Sequence, residues 1–331
     1  MTARRSITVL GDGGWGTTLA IYLHQQGHQV TLWGAFSTYI RQVQRRRENP
    51  KFLPGVRIPA GVRLTHDMTE AVAQAHLIIL AVPSQHLRSV VRRLQPQYRP
   101  TSALMSVAKG IEQRTLLRMS QVMTEELGSR RLAVLSGPNI AKEIAAGQPA
   151  STVVASRDHR LAREIQEILL SDRFRVYTST DVVGVELGGA LKNPLAIAAG
   201  MSDGLGFGAN AKAALVTRGV VEMARLGTAL GAKTETFWGL SGLGDLVTTC
   251  LSGRNHWLGE ELGRGRSLKQ ILASTPMVIE GVDTSRAAVH LAKHHGVELP
   301  ITEQVAAILF RGRSPRQAIH QLMHRAPRRE I

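Results

Sequence analysis

Lys192 lies in the stretch Val185-Glu186-Leu187-Gly188-Gly189-Ala190-Leu191-Lys192-Asn193-Pro194, among small and apolar neighbours. Burial there would penalise the charged ammonium, and nearby cations would act in the same direction. A lysine so poised can hand a proton to a carbonyl oxygen while hydride reaches the carbon. The bland alternative is a side chain that snorkels to water. Two glycines inside an apparent helix cost about 1 kcal/mol each relative to alanine, and Pro194 is expected to kink it. Such costs make sense where another backbone or a ligand comes close.

Three other segments carry residues suited to a small anionic substrate. Ser106-Val107-Ala108-Lys109-Gly110 puts Lys109 just past an apolar, strand-like run. In doubly wound sheets, ligands bind outside the carboxyl ends of the strands. Leu135-Ser136-Gly137-Pro138-Asn139-Ile140-Ala141-Lys142-Glu143 likewise follows a strand and opens a helix, a geometry that binds anions. Asn139 suits a helix cap as well as a ligand contact. Further on, Gly242-Leu243-Gly244-Asp245 precedes Ser252-Gly253-Arg254-Asn255. Asp245 is either a helix cap or the group that orients Lys192 and accepts from a substrate hydroxyl. Arg254 offers a planar fork matched to phosphate oxygens, and Asn255 adds donors. Glu280, in Pro276-Met277-Val278-Ile279-Glu280-Gly281, either bonds a cofactor amide or caps the helix that follows.

A dinucleotide is suggested by Gly11-Asp12-Gly13-Gly14-Trp15-Gly16, which follows the first strand and opens a helix. Gly11 permits the tight turn, Gly13 lets the backbone approach a pyrophosphate, and Gly16 allows close helix–strand packing. The helix N-terminus then presents free N–H groups and partial positive charge to the phosphates. A glycine turn with no ligand is the plain alternative. An acid about 20 residues further on would read the ribose 2′-hydroxyl of NAD. Between Asp12 and Glu48 there is none; the second strand ends Leu32-Trp33-Gly34-Ala35, followed by Arg41 and Arg45–Arg47. This disfavours strict NAD use and leaves room for a 2′-phosphate, so NADPH use, with NADH as a second cofactor, is predicted. Those arginines equally suit a solvated helix face.

The elements needed to position these groups are legible. Strands are predicted at 6–10, 29–33, 77–82, 103–107, 132–135, 152–155 and 173–177, with helices at 15–26, 84–94, 115–127 and 161–170. The alternation predicts an α/β, doubly wound, mostly parallel Rossmann sheet over residues 1–180. Helical periodicity then takes over at 181–200, 209–230, 284–294 and 301–310, broken by turns such as 238–244. Residues 181–331 are therefore expected to form an all-α substrate and catalytic domain.

Composition bounds the rest. The 331 residues suit two domains, and 43% hydrophobic with 20% charged residues suits a globular core. The single cysteine, Cys250, excludes an internal disulfide or a Cys-rich zinc site. No metal is called for. No apolar run is expected to make a membrane span, and the short, basic N-terminus is too short for a secretory signal, so a cytoplasmic chain is expected. The net charge of +16 includes clusters at Arg45–Arg47 and at Arg325, Arg328 and Arg329. Phosphorylated small molecules, nucleic acid or an anionic surface are all compatible with it. No nucleic-acid motif accompanies it, and no nucleic-acid partner is expected. The tail from Arg325 is expected to fray.

Over nearly its whole length the chain resembles bacterial-type NAD(P)-dependent glycerol-3-phosphate dehydrogenases. The matching motifs are GDGGWG, SVAKGIE, LSGPNIAKEI, VELGGALKNPLAIAAGMSDG, GLGDLVTTC, the Ser-Gly-Arg-Asn segment and MVIEGV. The resemblance implies a Rossmann domain followed by a helical one, with the active site between them. It implies Lys192 as general acid/base. It implies Lys109, Gly137, Asn139, Asp245, Ser252, Gly253, Arg254 and Asn255 around the triose phosphate. Gly14, Trp15, Ala35, Lys109, Ala141, Arg254, Val278 and Glu280 would join Gly11, Gly13 and Gly16 along NADPH or NADH. The implied role is to supply glycerol 3-phosphate for phospholipid synthesis; a homodimer is compatible with the sequence.

The chain departs from that family at four places. Gly14 replaces a common serine, Ala35 a common basic residue, and Asn139 a common Ser or Thr. The Asp245–Arg254 stretch is two residues shorter than usual, and Gly253 rather than serine precedes Arg254. Two rivals remain at this stage. One is a two-domain β-hydroxyacid or phosphogluconate-type dehydrogenase. The other is a non-catalytic nucleotide or nucleic-acid binder.

Overall fold

The computed structural model describes residues 4–128, 131–327 and 329. The chain divides into two compact units, Met1–Lys109 with Leu117–Glu186, and Gly110–Leu116 with Leu187–Ile331.

The first unit begins β1 (Ser6–Leu10), α1 (Gly14–Gln25), β2 (Gln29–Trp33) and α2 (Ser37–Arg46). A small hairpin, β3 (Glu48–Asn49) and β4 (Leu53–Arg57), precedes β5 (Arg63–Thr65), α3 (Met68–Val72), β6 (Leu77–Leu80) and α4 (Ser84–Leu94). Then come β7 (Ala103–Ser106), α5 (Met119–Leu127), β8 (Leu132–Ser136), α6 (Ala141–Ala145), β9 (Ala150–Ala155), α7 (His159–Leu169) and β10 (Phe174–Ser179).

Eight strands form one sheet in the order β10-β9-β8-β7-β6-β1-β2-β5. Its strands are parallel except where β9 meets β8 antiparallel; β9 and β10 are parallel to each other. The chain leaves β1 toward β2 on one side and returns to β6 on the other, which makes the carboxyl ends of β1 and β6 the switch point where ligands bind in such sheets. Leu77, Ile78, Ile79 and Leu80 of β6 are all buried, as a central strand covered on both faces requires. One face packs on α1, α2 and α7, the other on α3, α4 and α5. Leu87, Val90, Val91 and Leu94 give α4 the apolar stripe for this.

The helix predicted at 115–127 starts only at Met119. Leu116 takes φ +61, a left-handed conformation that no α-helix accommodates.

The next helix is α8 (Val182–Gly204), and the division between units falls within it. The second unit continues with α9 (Ala209–Ala229), a π-helical turn at Leu240–Gly244, α10 (Asp245–Leu251) and α11 (Arg254–Gly263). It ends with α12 (Leu268–Ala273), α13 (Glu280–His294), α14 (Pro300–Arg311) and α15 (Pro315–Met323). Its core gathers Ile197 and Met201 of α8, Leu258 and Leu262 of α11, and Val305 and Leu309 of α14. α8 continues through Pro194 rather than ending there. It is, contrary to the sequence reading, long and apolar enough by length and composition to cross a bilayer, yet it is almost wholly buried in the protein. That is the pattern of a core helix.

In the basic tail, Arg325 pairs with Glu298 at 2.9 Å, whereas Arg328 lies outside the described residues.

Candidate active site

The glycine turn has the geometry a pyrophosphate needs. Gly11 takes φ +121, and a Cβ on it would stand 2.7 Å from Ala81 O at the end of β6. A Cβ on Gly16 would fall 1.9 Å from Gly11 O, so the helix can start this close to the strand only without a side chain. A Cβ on Gly13 would meet nothing within 4 Å. The turn is therefore open at its middle glycine and closed at its ends. No side chain caps α1, and its first turn holds no acid, so its N–H groups are available to an anion. Trp15 Nε1 and Asp12 Oδ2 are buried without a hydrogen-bond partner. These features fit a dinucleotide. Ala35 follows the end of β2 and brings no charge. A Cβ on Gly14 would be 2.6 Å from Phe52 O, so the backbone after β3 comes close to the turn here.

At the ends of β7 and β8, Lys109 Nζ donates to Gly137 O at 2.7 Å. Asn139 Nδ2 donates to Thr152 Oγ1 at 3.0 Å while its Oδ1 has no partner. Asn139 is not a helix cap: α6 is capped by Ile140 without a side-chain bond. α6 has only five residues, too few for the strong anion-attracting N-terminus expected of this segment. Ala141, its first residue, accepts from Thr18 Oγ1 of α1 at 3.2 Å.

In the second unit, Lys192 and Asp245 form a buried ion pair, with 5% and 2% of their surfaces exposed. Lys192 Nζ also donates to Thr249 Oγ1 at 2.5 Å. Asp245 opens α10, but Gly244 is the capping residue, and the Asp245 carboxylate is committed to Lys192. The lysine therefore does not snorkel to water. A Cβ on Gly188 would be 2.6 Å from Ser241 O. Glycine in α8 thus lets the π-helical turn before Asp245 press against the helix bearing Lys192.

The neighbouring residue extends the site. Asn255 Nδ2 donates to Asn193 Oδ1 at 2.8 Å, and Asn255 Oδ1 accepts from Gly281 N at 2.9 Å. These two bonds tie α8, α11 and α13 together, one residue along from Lys192 and from Arg254. Arg254 is exposed and donates to Val278 O at 2.7 Å, and its charge interacts with that of Glu280. Glu280 is the first residue of α13, so its capping alternative is not realised; Ile279 caps. Ser252 is exposed at the end of α10. Gly253 caps α11 at φ +104, a conformation that strains any other residue. α11 carries neither a side-chain cap nor a first-turn acid, leaving its N–H groups to an anion.

The family models of the N-terminus and C-terminus of NAD-dependent glycerol-3-phosphate dehydrogenase match residues 6–162 and 181–320. A glycerol-3-phosphate dehydrogenase [NAD(P)+] of Salinibacter ruber is 47% identical over 98% of this chain and 96% of its own length. That of Syntrophotalea carbinolica is 48% identical over 98% and 99%. The chain belongs to the NAD(P)-dependent glycerol-3-phosphate dehydrogenase family. The crystal structure of glycerol-3-phosphate dehydrogenase from Coxiella burnetii superposes with a TM-score of 0.93 at 38% identity, covering 97% of this chain and 99% of that one.

Two residues of this family member escaped the sequence reading. Thr249, four residues after Asp245 and thus on the same face of α10, bonds Lys192. Asn193, read only as a neighbour of Lys192, anchors Asn255. The signal for Thr249 was present in the spacing; that for Asn193 was not, because its partner is 62 positions away.

Proposed function

We propose that the chain catalyses reversible, NAD(P)-dependent interconversion of glycerol 3-phosphate and dihydroxyacetone phosphate. The observation that carries this is the buried Lys192–Asp245–Thr249 cluster, linked through Asn193 to Asn255 and the N-terminus of α11. A buried ammonium paired with a carboxylate is a proton donor held in fixed orientation. A helix start bearing Arg254 and Asn255 suits a phosphate ester better than a simple carboxylic acid.

Lys192 gives its proton to the ketone oxygen of dihydroxyacetone phosphate; in reverse, neutral Lys192 takes the proton of the C2 hydroxyl. Asp245 and Thr249 hold the lysine for this exchange. Arg254, Asn255, Gly253 and the free N–H groups of α11 bind the phosphate, with Ser252 beside them. The reduced nicotinamide, when bound, supplies the hydride. Gly11, Gly13, Gly14, Trp15 and Gly16 cradle its pyrophosphate, and Ala35, Ala141, Val278 and Glu280 are assigned to the same ligand by resemblance. Lys109, Gly137 and Asn139 are assigned to the substrate on the same ground. By resemblance, the product would supply phospholipid synthesis and the chain would act in the cytoplasm.

A substrate panel followed at the absorbance of the reduced nicotinamide tests the reading. Dihydroxyacetone phosphate should be turned over, and phosphogluconate and β-hydroxyacid pairs should not. Preferential turnover of either of the latter would overturn it.

A further inference from the structure

In a doubly wound dinucleotide fold, the acid that reads the adenosine ribose sits at the end of the second strand. Here that strand runs out into Gly34 and Ala35, and neither bears a carboxylate. The tertiary structure brings one there from another element. β1 and β2 are parallel neighbours with Leu10 beside Trp33, and Gly11 N donates to Trp33 O at 2.9 Å. Asp12 therefore lies against Gly34. A Cβ on Gly34 would stand 2.5 Å from Asp12 Oδ2 and 2.8 Å from its carboxyl carbon. The carboxylate fills the place from which a side chain at position 34 would project.

Asp12 Oδ2 is buried and receives no hydrogen bond. A buried carboxylate oxygen without a donor is costly and calls for an explanation in a folded protein. Burial pushes this carboxyl up to about 6, with a smaller opposing effect from its own backbone and from Lys51. It remains mostly ionised at neutral pH.

Around this strand end, Lys51 acts on the Asp12 carboxylate and Arg93 lies over the Trp33 ring at 4.9 Å. Arg47 is turned into the carbonyls of Pro59 and Val62. Arg41 donates to Ser37 Oγ at 3.3 Å. Arg45 and Arg46 lie in the last turn of α2, roughly 12 Å along the axis from its start. Lys51 stands over the Phe52 ring at 4.9 Å.

We propose that Asp12 is the ribose-reading acid of this chain and makes it selective for NADH: Oδ2 accepts a hydrogen bond from the adenosine 2′-hydroxyl, and its charge repels a 2′-phosphate. The selectivity that the second strand carries in other folds of this kind resides here in the glycine turn. This rests on the dinucleotide reading above and reverses the expectation of NADPH drawn from the absence of a downstream acid.

Equilibrium binding of ADP-ribose and of its 2′-phosphate, by calorimetry on the whole chain without turnover, tests it. The parent should bind ADP-ribose at least about tenfold tighter than the 2′-phospho form. Asp12→Asn keeps a group that bonds a hydroxyl but removes the charge; it should tighten 2′-phospho binding about tenfold and close the gap. Equal or tighter binding of the 2′-phospho form by the parent would overturn the proposal, as would a ratio in Asp12→Asn within twofold of the parent's. Should that variant fail to fold, the parent's ratio alone decides. Failure of the parent to bind either fragment would instead remove the dinucleotide reading, a result distinct from equal binding of both.

Discussion

Lys192 Nζ donates to Asp245 Oδ1 across 53 positions of sequence, and both side chains are sealed from solvent. A buried ammonium needs an opposite charge beside it, and the Asp245 carboxylate supplies one. The same pairing limits where the lysine's proton can go. Two acceptors are Asp245 and Thr249, which fix the direction in which the ammonium points.

Removing the counter-charge should therefore be expensive. Asp245→Asn preserves shape but leaves a buried ammonium unpaired, and we expect a loss of about 3–5 kcal/mol in stability. Urea unfolding measures it. A loss under about 1 kcal/mol would show that the pair is not held in a dry environment.

The glycine turn separates folding from binding. Gly16→Ala drives a methyl group into Gly11 O, whereas Gly13→Ala adds one to open space. Gly16→Ala should lower the melting temperature markedly and Gly13→Ala should leave it nearly unchanged. Gly13→Ala should nonetheless weaken ADP-ribose binding by tenfold or more, because the methyl stands where the pyrophosphate approaches. Calorimetric binding and thermal unfolding on both variants check this, and undiminished binding by Gly13→Ala would contradict it.

Glu222 gives a pH signature to the second unit. Its carboxylate, buried against the start of α14, accepts from Ile301 N at 2.6 Å and Thr302 N at 3.2 Å. Burial pushes it up to about 7 from an ordinary 4.5, overcoming the opposing effect of those donors. Between these values the folded chain holds a proton that the unfolded chain has released. Stability therefore falls as pH rises from about 4.5 to about 7, then levels. The difference corresponds to a few kcal/mol at most, on the order of 3. Unfolding free energies at pH 5 and pH 8 should show Glu222→Gln gaining on the parent as pH rises. A parent-to-variant difference that does not change with pH would contradict this.

Much of this site was legible because strand ends are local features. Lys109 and Gly137 follow short apolar runs that read as strands, and the pairing of β7 with β8 brings those two ends side by side. Gly188 was likewise legible as a close approach, although not what approached it; Ser241 is that partner. What was not legible depends on long-range register. No acid follows the glycine turn before Glu48, whereas Asp12 lies beside the end of β2 across two paired strands. The hairpin of β3 and β4 and the helix α2 left no strong apolar period, since only Ile40 and Val43 of α2 are buried. The brevity of α6 was also hidden, because the residues after Asn139 favour a helix without saying how long it runs.

The role of Lys192 is tested most directly by comparing turnover of dihydroxyacetone phosphate with ADP-ribose affinity in Lys192→Ala. We expect turnover to fall by at least about a hundredfold while the affinity stays within twofold of the parent. Turnover within tenfold of the parent would remove Lys192 as the proton donor.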